Sequence, residues 1–233
     1  MSGLPRVVVV LGMIVSLGVG ALGCPAKRMD GQQPGARSAS LGESATDARS
    51  AQSLLPAEAL GEDLVLQQRV TMQWNGREES FGAVLQKRGS ELMLLGLGPM
   101  NSVGFRLALA DGKVSFENRT GRDLPFVPER ILLDVQRVFY PWIDEAQSPR
   151  CSRCDRHGSR DGFEIVERIG ASALEERRFV VRDGPLGAER RTEIVVRYEG
   201  WIEDPRVPAR AILSNGRFGY ELLVETTSAT RLD

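Results

Sequence analysis

The sequence predicts a mainly β (α+β) fold: a strongly curved antiparallel sheet, a half-barrel of about ten strands, covered by one main amphipathic helix. Three observations predict it. After residue 57 apolar and polar side chains alternate along most of the chain, as half-buried strands require. The pairs Asn75-Gly76, Asp111-Gly112 and Asn215-Gly216 punctuate those runs with tight-turn chemistry. One segment only, residues 128–142, changes to helical spacing.

In the first run Leu64, Leu66, Val70, Met72 and Trp74 share one face, with Gln67, Arg69, Thr71 and Gln73 on the other. Asn75-Gly76 turns the chain, and Phe81, Ala83 and Leu85 restart the alternation. Residues 92–97 form a short apolar strand. Val103, Phe105, Leu107 and Leu109 then alternate with Gly104, Arg106 and Ala108, and Asp111-Gly112 leads to Val114 and Phe116. In residues 128–142, Ile131, Val135, Val138 and Trp142 recur at helical spacing, joined by Leu132 and Phe139, with Arg130, Asp134 and Arg137 opposite. Pro128 suits the first turn and Pro141 marks the end. Strands resume over residues 163–169, 178–182 and 192–198, where Ile194, Val196 and Tyr198 share a face. Asn215-Gly216 joins residues 210–213 to 218–225, in which Phe218, Tyr220, Leu222 and Val224 alternate.

Ahead of this domain lies a different kind of sequence. Arg6 precedes a run free of charge over residues 7–23, the pattern of a secretory leader, and a retained signal anchor is the alternative because about 20 apolar residues span a bilayer. The run closes on Ala21-Leu22-Gly23-Cys24, which resembles the lipobox of bacterial lipoproteins, with Ala21 where that family usually has Leu. The resemblance implies that residues 1–23 are removed as a signal peptide and that Cys24 is acylated, tethering the chain to a membrane; several acyl chains anchor stably at about 0.8 kcal/mol per buried methylene. Pro25 follows, so the Asp that retains enterobacterial lipoproteins in the inner membrane is absent, and the resemblance implies the outer membrane, facing the periplasm. Residues 24–56 are rich in Gly, Ser, Ala, Gln and Arg without apolar periodicity and read as a flexible polar tether to the domain at 57–233.

Composition narrows the chemistry. With 42% hydrophobic and 26% charged residues and a net charge of -1, the chain has no electrostatic reason to bind nucleic acid. Of its three cysteines, Cys151 and Cys154 lie in a polar insert near residues 143–162. In an exported protein the pair suits a short-range disulfide. The alternative is a thiol or metal site drawing on His157 and Asp155. A c-type haem site needs histidine directly after the second cysteine, and Asp155 stands there. His157 is the sole histidine, the chain has no Gly-x-Ser-x-Gly elbow, and Gly96-Leu97-Gly98 lacks the third glycine of a dinucleotide loop. Glu175, Glu176, Asp183 and Glu199 read as exposed hairpin positions. The expectation is a protein that is not an enzyme and takes no metal or cofactor.

What remains is apolar surface: Met72, Trp74, Phe105, Leu107, Val135, Phe139, Trp142, Tyr198, Trp201, Tyr220 and Leu222. Core packing is the ordinary use of such residues. A curved sheet with a helix across its mouth also encloses cavities for apolar ligands, and these eleven residues are the candidate lining.

The order of parts, the run Gln73-Trp74-Asn75-Gly76, the segment Phe81-Gly82-Ala83-Val84-Leu85, Leu95-Gly96-Leu97, the helix from Leu132-Leu133-Asp134-Val135-Gln136 to Tyr140-Pro141-Trp142, and Gly219-Tyr220-Glu221-Leu222 carry a family likeness. They resemble an uncharacterised family of bacterial lipoproteins related to the lipoprotein-localisation carriers and receptors of the LolA/LolB-like fold. That resemblance implies an envelope protein binding an acyl chain, a lipid or a lipoprotein's lipid moiety. The exposed apolar loop by which membrane-inserting receptors deliver cargo is not recognisable in the sequence. The rival reading is a structural or assembly partner of another envelope protein, without a ligand cavity.

Overall fold

The computed structural model describes residues 52–121, 127–143, 152–181 and 193–233. Among them the strands are β1 (Leu64–Trp74), β2 (Arg77–Arg88), β3 (Glu91–Leu97), β4 (Val103–Ala110), β5 (Lys113–Asn118), β6 (Cys154–Arg160), β7 (Phe163–Ile169), β8 (Leu174–Val181), β9 (Ile194–Ile202), β10 (Val207–Asn215) and β11 (Tyr220–Arg231), with one α-helix, α1 (Pro128–Phe139). All eleven strands join one antiparallel sheet in the order β5-β4-β3-β2-β1-β11-β10-β9-β8-β7-β6. The sheet does not close: β5 and β6 are its edges. The first and last strands therefore meet at its centre, where β1 pairs with β11.

Curvature follows from what α1 touches. It contacts both β10 and β5, which stand six spacings apart in the sheet, about 29 Å at ~4.8 Å per spacing. A helix of 12 residues is about 18 Å long and about 10–12 Å across, shorter than that separation in every direction, so it reaches both strands only if the sheet bends around it.

Turn chemistry accounts for the meander. Asn75 and Gly76 (φ 49 and 72) and Asp111 and Gly112 (φ 49 and 72) take the positive dihedrals of two-residue hairpins, which Asn, Asp and Gly tolerate. Asn215 does otherwise: it ends β10, and its Oδ1 accepts the Phe218 N–H at 3.2 Å, so the turn occupies residues 216–219.

Several expectations are corrected. The expected sheet of about ten strands is present with eleven, and the correction lies in the polar insert, which supplies edge strand β6. Its inward Gly158 lets Ile143 dock at 3.0 Å from where a Cβ would stand. The helix ends at Phe139 and not at residue 142; Tyr140 is extended, and the Gln136 carbonyl accepts both the Tyr140 N–H and the Trp142 indole N–H, each at 2.9 Å. The end of the supposed tether is docked: Leu55 is buried, and Gln136 reads its backbone twice, Oε1 accepting Leu55 N–H and Nε2 donating to Leu55 O, both at 2.8 Å. Asp134 and Arg137, placed by sequence on the polar side of the helix, are 6% and 5% exposed. Glu176, read as an exposed hairpin residue, is 8% exposed among Arg168, Arg178 and Arg197.

Candidate apolar groove

The register stacks inward side chains of β11, β1 and β2 into rows across the concave face. The outermost row is Tyr220, Trp74 and Arg77. Next come Leu222, Met72 and Glu79, then Val224, Val70 and Phe81. Tyr220, Trp74, Leu222, Met72, Val70 and Phe81 are only half-buried. Two rows further in, the sheet closes: Leu66, Leu85 and Leu107 have no exposed surface, and Leu94 has 5%. A side chain that a water-sized sphere cannot touch lines no cavity. The concave face is thus a groove, open at the end of the β1–β2 hairpin and filled at the other.

The helix supplies the second wall. Ile131, Val135 and Phe139, four residues apart, make a half-exposed stripe that packs against the same core. Phe81, Phe105 and Phe116 continue the apolar surface toward the β5 edge, with ring centroids 6.2 and 6.3 Å apart. Gly96 makes room for this: a Cβ there would lie 2.0 Å from the Phe105 ring.

Where α1 crosses β7–β11, polar contacts join the apolar packing of Leu132 and Val138. The Tyr220 hydroxyl donates to Asp134 Oδ2 and accepts from Asn215 Nδ2 at 2.9 Å, which locks the ring at the groove mouth. Arg137 holds Asp134 Oδ1 at 2.7 Å and Gln52 Oε1 through Nε and Nη2, at 3.0 and 2.8 Å. Arg177 Nη1 donates to the Arg137 carbonyl at 2.7 Å, and its Nε pairs with Glu167 at 2.7 Å, both side chains 5% exposed. The Tyr198 hydroxyl donates to Val138 O at 3.1 Å, and burial pushes its pKa up to about 12. Burial likewise raises the Asp134 carboxyl above the ordinary range, against the pull of Arg137 and the Tyr220 hydroxyl.

The structure divides the eleven residues named from sequence. Met72, Trp74, Tyr220 and Leu222 come together at the mouth, with Val135 and Phe139 on the helix stripe. Leu107, Phe105, Trp142 and Tyr198 lie in the packed core at 0%, 7%, 5% and 7% exposure. Trp201 stands apart: its indole donates to Leu174 O at 3.2 Å, in a cleft of about 540 Å³ with Arg206 and Glu203. The mouth opens on another cleft, about 610 Å³, whose lining includes Trp74, Arg77, Asn215 and Tyr220. Sequence reasoning missed Phe81 and Val70 as accessible groove residues, although it had placed both on an inward face.

Cys24 and Cys151 lie outside the described residues, as do the leader and all of the tether before Gln52. Cys154 opens β6, half-buried. Between β3 and β4 the turn Pro99–Asn101 leaves the Met100 side chain 100% exposed, a protruding apolar group that the sequence did not single out.

The model of a family described as "Protein of unknown function (DUF3261)" matches residues 65–228. No curated protein matches. Similar solved structures include a LolA-superfamily protein from Nitrosomonas europaea, with 10% identity over 77% of this chain and 94% of that one at a TM-score of 0.42. An outer membrane lipoprotein-sorting protein domain from Vibrio parahaemolyticus has 8% identity over 73% of this chain and 85% of that one, TM-score 0.37. A DUF1329 family protein from Desulfovibrio piger has 11% identity over 75% and 88%, TM-score 0.37.

Proposed function

The chain belongs to the DUF3261 family, and from that premise we propose that it is a non-enzymatic envelope lipoprotein, anchored through acylated Cys24, whose groove binds an acyl chain, a lipid or a lipoprotein's lipid moiety. One observation carries this reading: six half-exposed inward side chains, Val70, Met72, Trp74, Phe81, Tyr220 and Leu222, form a continuous apolar floor beside the helix stripe. Apolar floor left open to water is unfavourable by about 25 cal/mol per Å², and a hydrocarbon chain laid on it removes that cost. The lipobox supports the outer membrane, facing the periplasm, as the place of anchoring, and an oxidising compartment supports a Cys151–Cys154 disulfide. Met100 supports contact with a membrane or a partner at the same end of the sheet, where the β1–β2 turn also lies.

The test is native mass spectrometry of the chain carrying C24S, purified without detergent and offered lipid. Retained or acquired amphiphile, reduced by Met72→Glu at the groove floor, is the expected result. A chain that binds no amphiphile, yet comes out of membranes with one stoichiometric protein, belongs to the assembly-partner class instead. Labelling with a radioactive fatty acid, abolished by C24S, tests the anchor.

A further inference from the structure

The inner face of β1 and β2 carries three charged side chains, Arg77, Glu79 and Lys87. Lys87, at the filled end, is 3% exposed and committed to Asp63 Oδ1 at 2.7 Å and to Gly61 O. Arg77 and Glu79 differ on both counts. They stand in the two outermost rows, beside Trp74 and Met72, and both are exposed. Neither makes an ion pair or hydrogen bond among the described residues, whereas on the outer face Arg106 meets Glu91 and Arg197 meets Glu176. Arg77 also lines the cleft of about 610 Å³ at the mouth, together with Trp74 and Tyr220, so its guanidinium is open to a ligand. The carboxylates that line the same cleft, Glu78 and Glu221, belong to the outer face and are held by Gln73 Nε2 at 2.9 Å and Ser214 Oγ at 2.8 Å.

Position matters as much as charge. From the filled end outward the rows run apolar at Val70 and Phe81, then an acceptor at Glu79 beside Met72 and Leu222, then a cation at Arg77 beside Trp74 and Tyr220. The two charges lie two residues apart on one strand face, about 7 Å along β2. A ligand that satisfies this order has a hydrocarbon tail, then a group that donates a hydrogen bond, then an anion. A plain fatty acid fits less well: with its carboxylate on Arg77, its methylenes lie against the Glu79 carboxylate.

We infer that the groove selects a lysophospholipid: its one acyl chain lies on Val70, Met72 and Phe81, its free glycerol hydroxyl donates to the Glu79 carboxylate, and its phosphate pairs with Arg77 at the mouth. Arginine suits that place, because the guanidinium presents a planar fork of donors matched to phosphate oxygens. The floor from Val70 to Trp74 is about 13 Å long, close to the ~15 Å of one leaflet of acyl chains. This inference rests on the groove reading above and narrows it to a ligand class in which the head is read as well as the tail.

Three probes with the same acyl chain separate the parts: lauroylglycerol phosphate, lauroylglycerol, and lauroylpropanediol phosphate, which keeps the phosphate and lacks the hydroxyl. Binding to the full chain carrying C24S is measured below the concentration at which the probes form micelles, with Arg77 and with Arg77→Gln. The first probe is expected to bind about 3- to 10-fold tighter than the second, and about 2- to 5-fold tighter than the third. R77Q brings the first two probes to similar affinity, and added salt narrows the gap between them in the Arg77 protein. Arg77 has no partner to lose among the described residues, so the melting temperature of R77Q matches the parent's and a lost preference is not a lost fold. Equal binding of the first two probes, or of the first and third, by the Arg77 protein overturns the inference and leaves the groove reading standing. Glycerol phosphate that binds as tightly as its lauroyl ester also overturns it, since the site then reads free phosphate esters and not a lipid. Failure of every acylated probe to bind overturns the groove reading and this inference with it.

Discussion

The two wings of the sheet hold the same helix by different means. Inward positions of β1–β5 are mostly apolar, with Leu64, Leu66, Ala83, Leu85, Leu92, Leu94, Leu107 and Leu109 all buried; the polar exceptions on β1 and β2, Gln68, Arg77, Glu79 and Lys87, make no hydrogen bond to α1 among the described residues. Inward positions of β7–β11 include Glu167, Arg177, Tyr198, Asn215 and Tyr220, of which Arg177, Tyr198 and Tyr220 reach Arg137, Val138 and Asp134 on α1, with Glu167 and Asn215 holding Arg177 and Tyr220 in place. Apolar contact is non-directional and tolerates sliding. Hydrogen bonds and ion pairs in a low dielectric do not, because a half-satisfied network is costlier than none. One wing drives α1 onto the sheet, and the other fixes where along the sheet it lies. The groove opens where the two wings meet, at β11, β1 and β2.

The largest effect that separates the wings is expected at Glu167. Glu167→Ala leaves Arg177 charged and buried beside the Arg137 carbonyl, which costs about 3–5 kcal/mol. The double variant E167L/R177M recovers all but about 1 kcal/mol, the remainder being the hydrogen bond to Arg137 O. In the apolar wing Leu85→Ala costs a similar 2–5 kcal/mol, about the usual range for a cavity, with no partner substitution to restore it. Urea denaturation of the four proteins reads this directly. Equal, unrecovered losses for E167A and the double variant would mean that the ion pair plays no distinct part.

A smaller effect is expected at the strap of residues 52–57. Gln136→Leu strips both hydrogen bonds from buried Leu55, about 2–4 kcal/mol in all. Limited proteolysis of the variant cuts within this strap before the sheet unfolds. A variant as resistant as the parent would show the strap to be held by Leu55 and Ala57 packing alone, both being buried.

How much of this was legible follows the same division. The apolar wing could be read because each strand states its inward face by itself, through period-two alternation, and Asn75-Gly76 and Asp111-Gly112 state their turns locally. The strands of the other wing could be read in the same way, but its polar contacts could not. Its partners lie far apart in the chain, Gln136 from Leu55 and Arg177 from Arg137, and no local pattern pairs them. Asp134 and Arg137 misled because a helical wheel assigns polar residues to water, whereas α1 is enclosed between the strap and the sheet. β6 was missed because Asp155, His157 and Ser159 alternate with Arg156 and Gly158, leaving no apolar face to recognise; an edge strand covered by Ile143 needs none.

The smallest expected effect is a difference in pH dependence between the faces of the polar wing. Glu176 lies on the outer face. Burial works to raise its pKa, but Arg178, Arg168 and Arg197 outweigh it and hold it below the ordinary value. A lowered folded pKa means stability present above about pH 4.3 and lost as pH falls through the folded value. Asp134, on the helix, is shifted the other way by burial. Its folded form holds the proton more tightly than the unfolded chain, so the stability it gives is full below about pH 3.9 and is lost as pH rises through its folded value. Asp134→Asn keeps an oxygen for the Tyr220 hydroxyl and removes the ionisation, so its stability relative to the parent increases on going from pH 4 upward. Glu176→Gln behaves oppositely, losing ground to the parent as pH rises from about 3 to 6, where the parent gains its ion pairs. Urea midpoints across this range check both slopes. If D134N and the parent run parallel from pH 4 to 8, the buried carboxyl is held ionised throughout by Arg137, and the positional lock on the helix is an ion pair rather than a hydrogen bond between neutral groups.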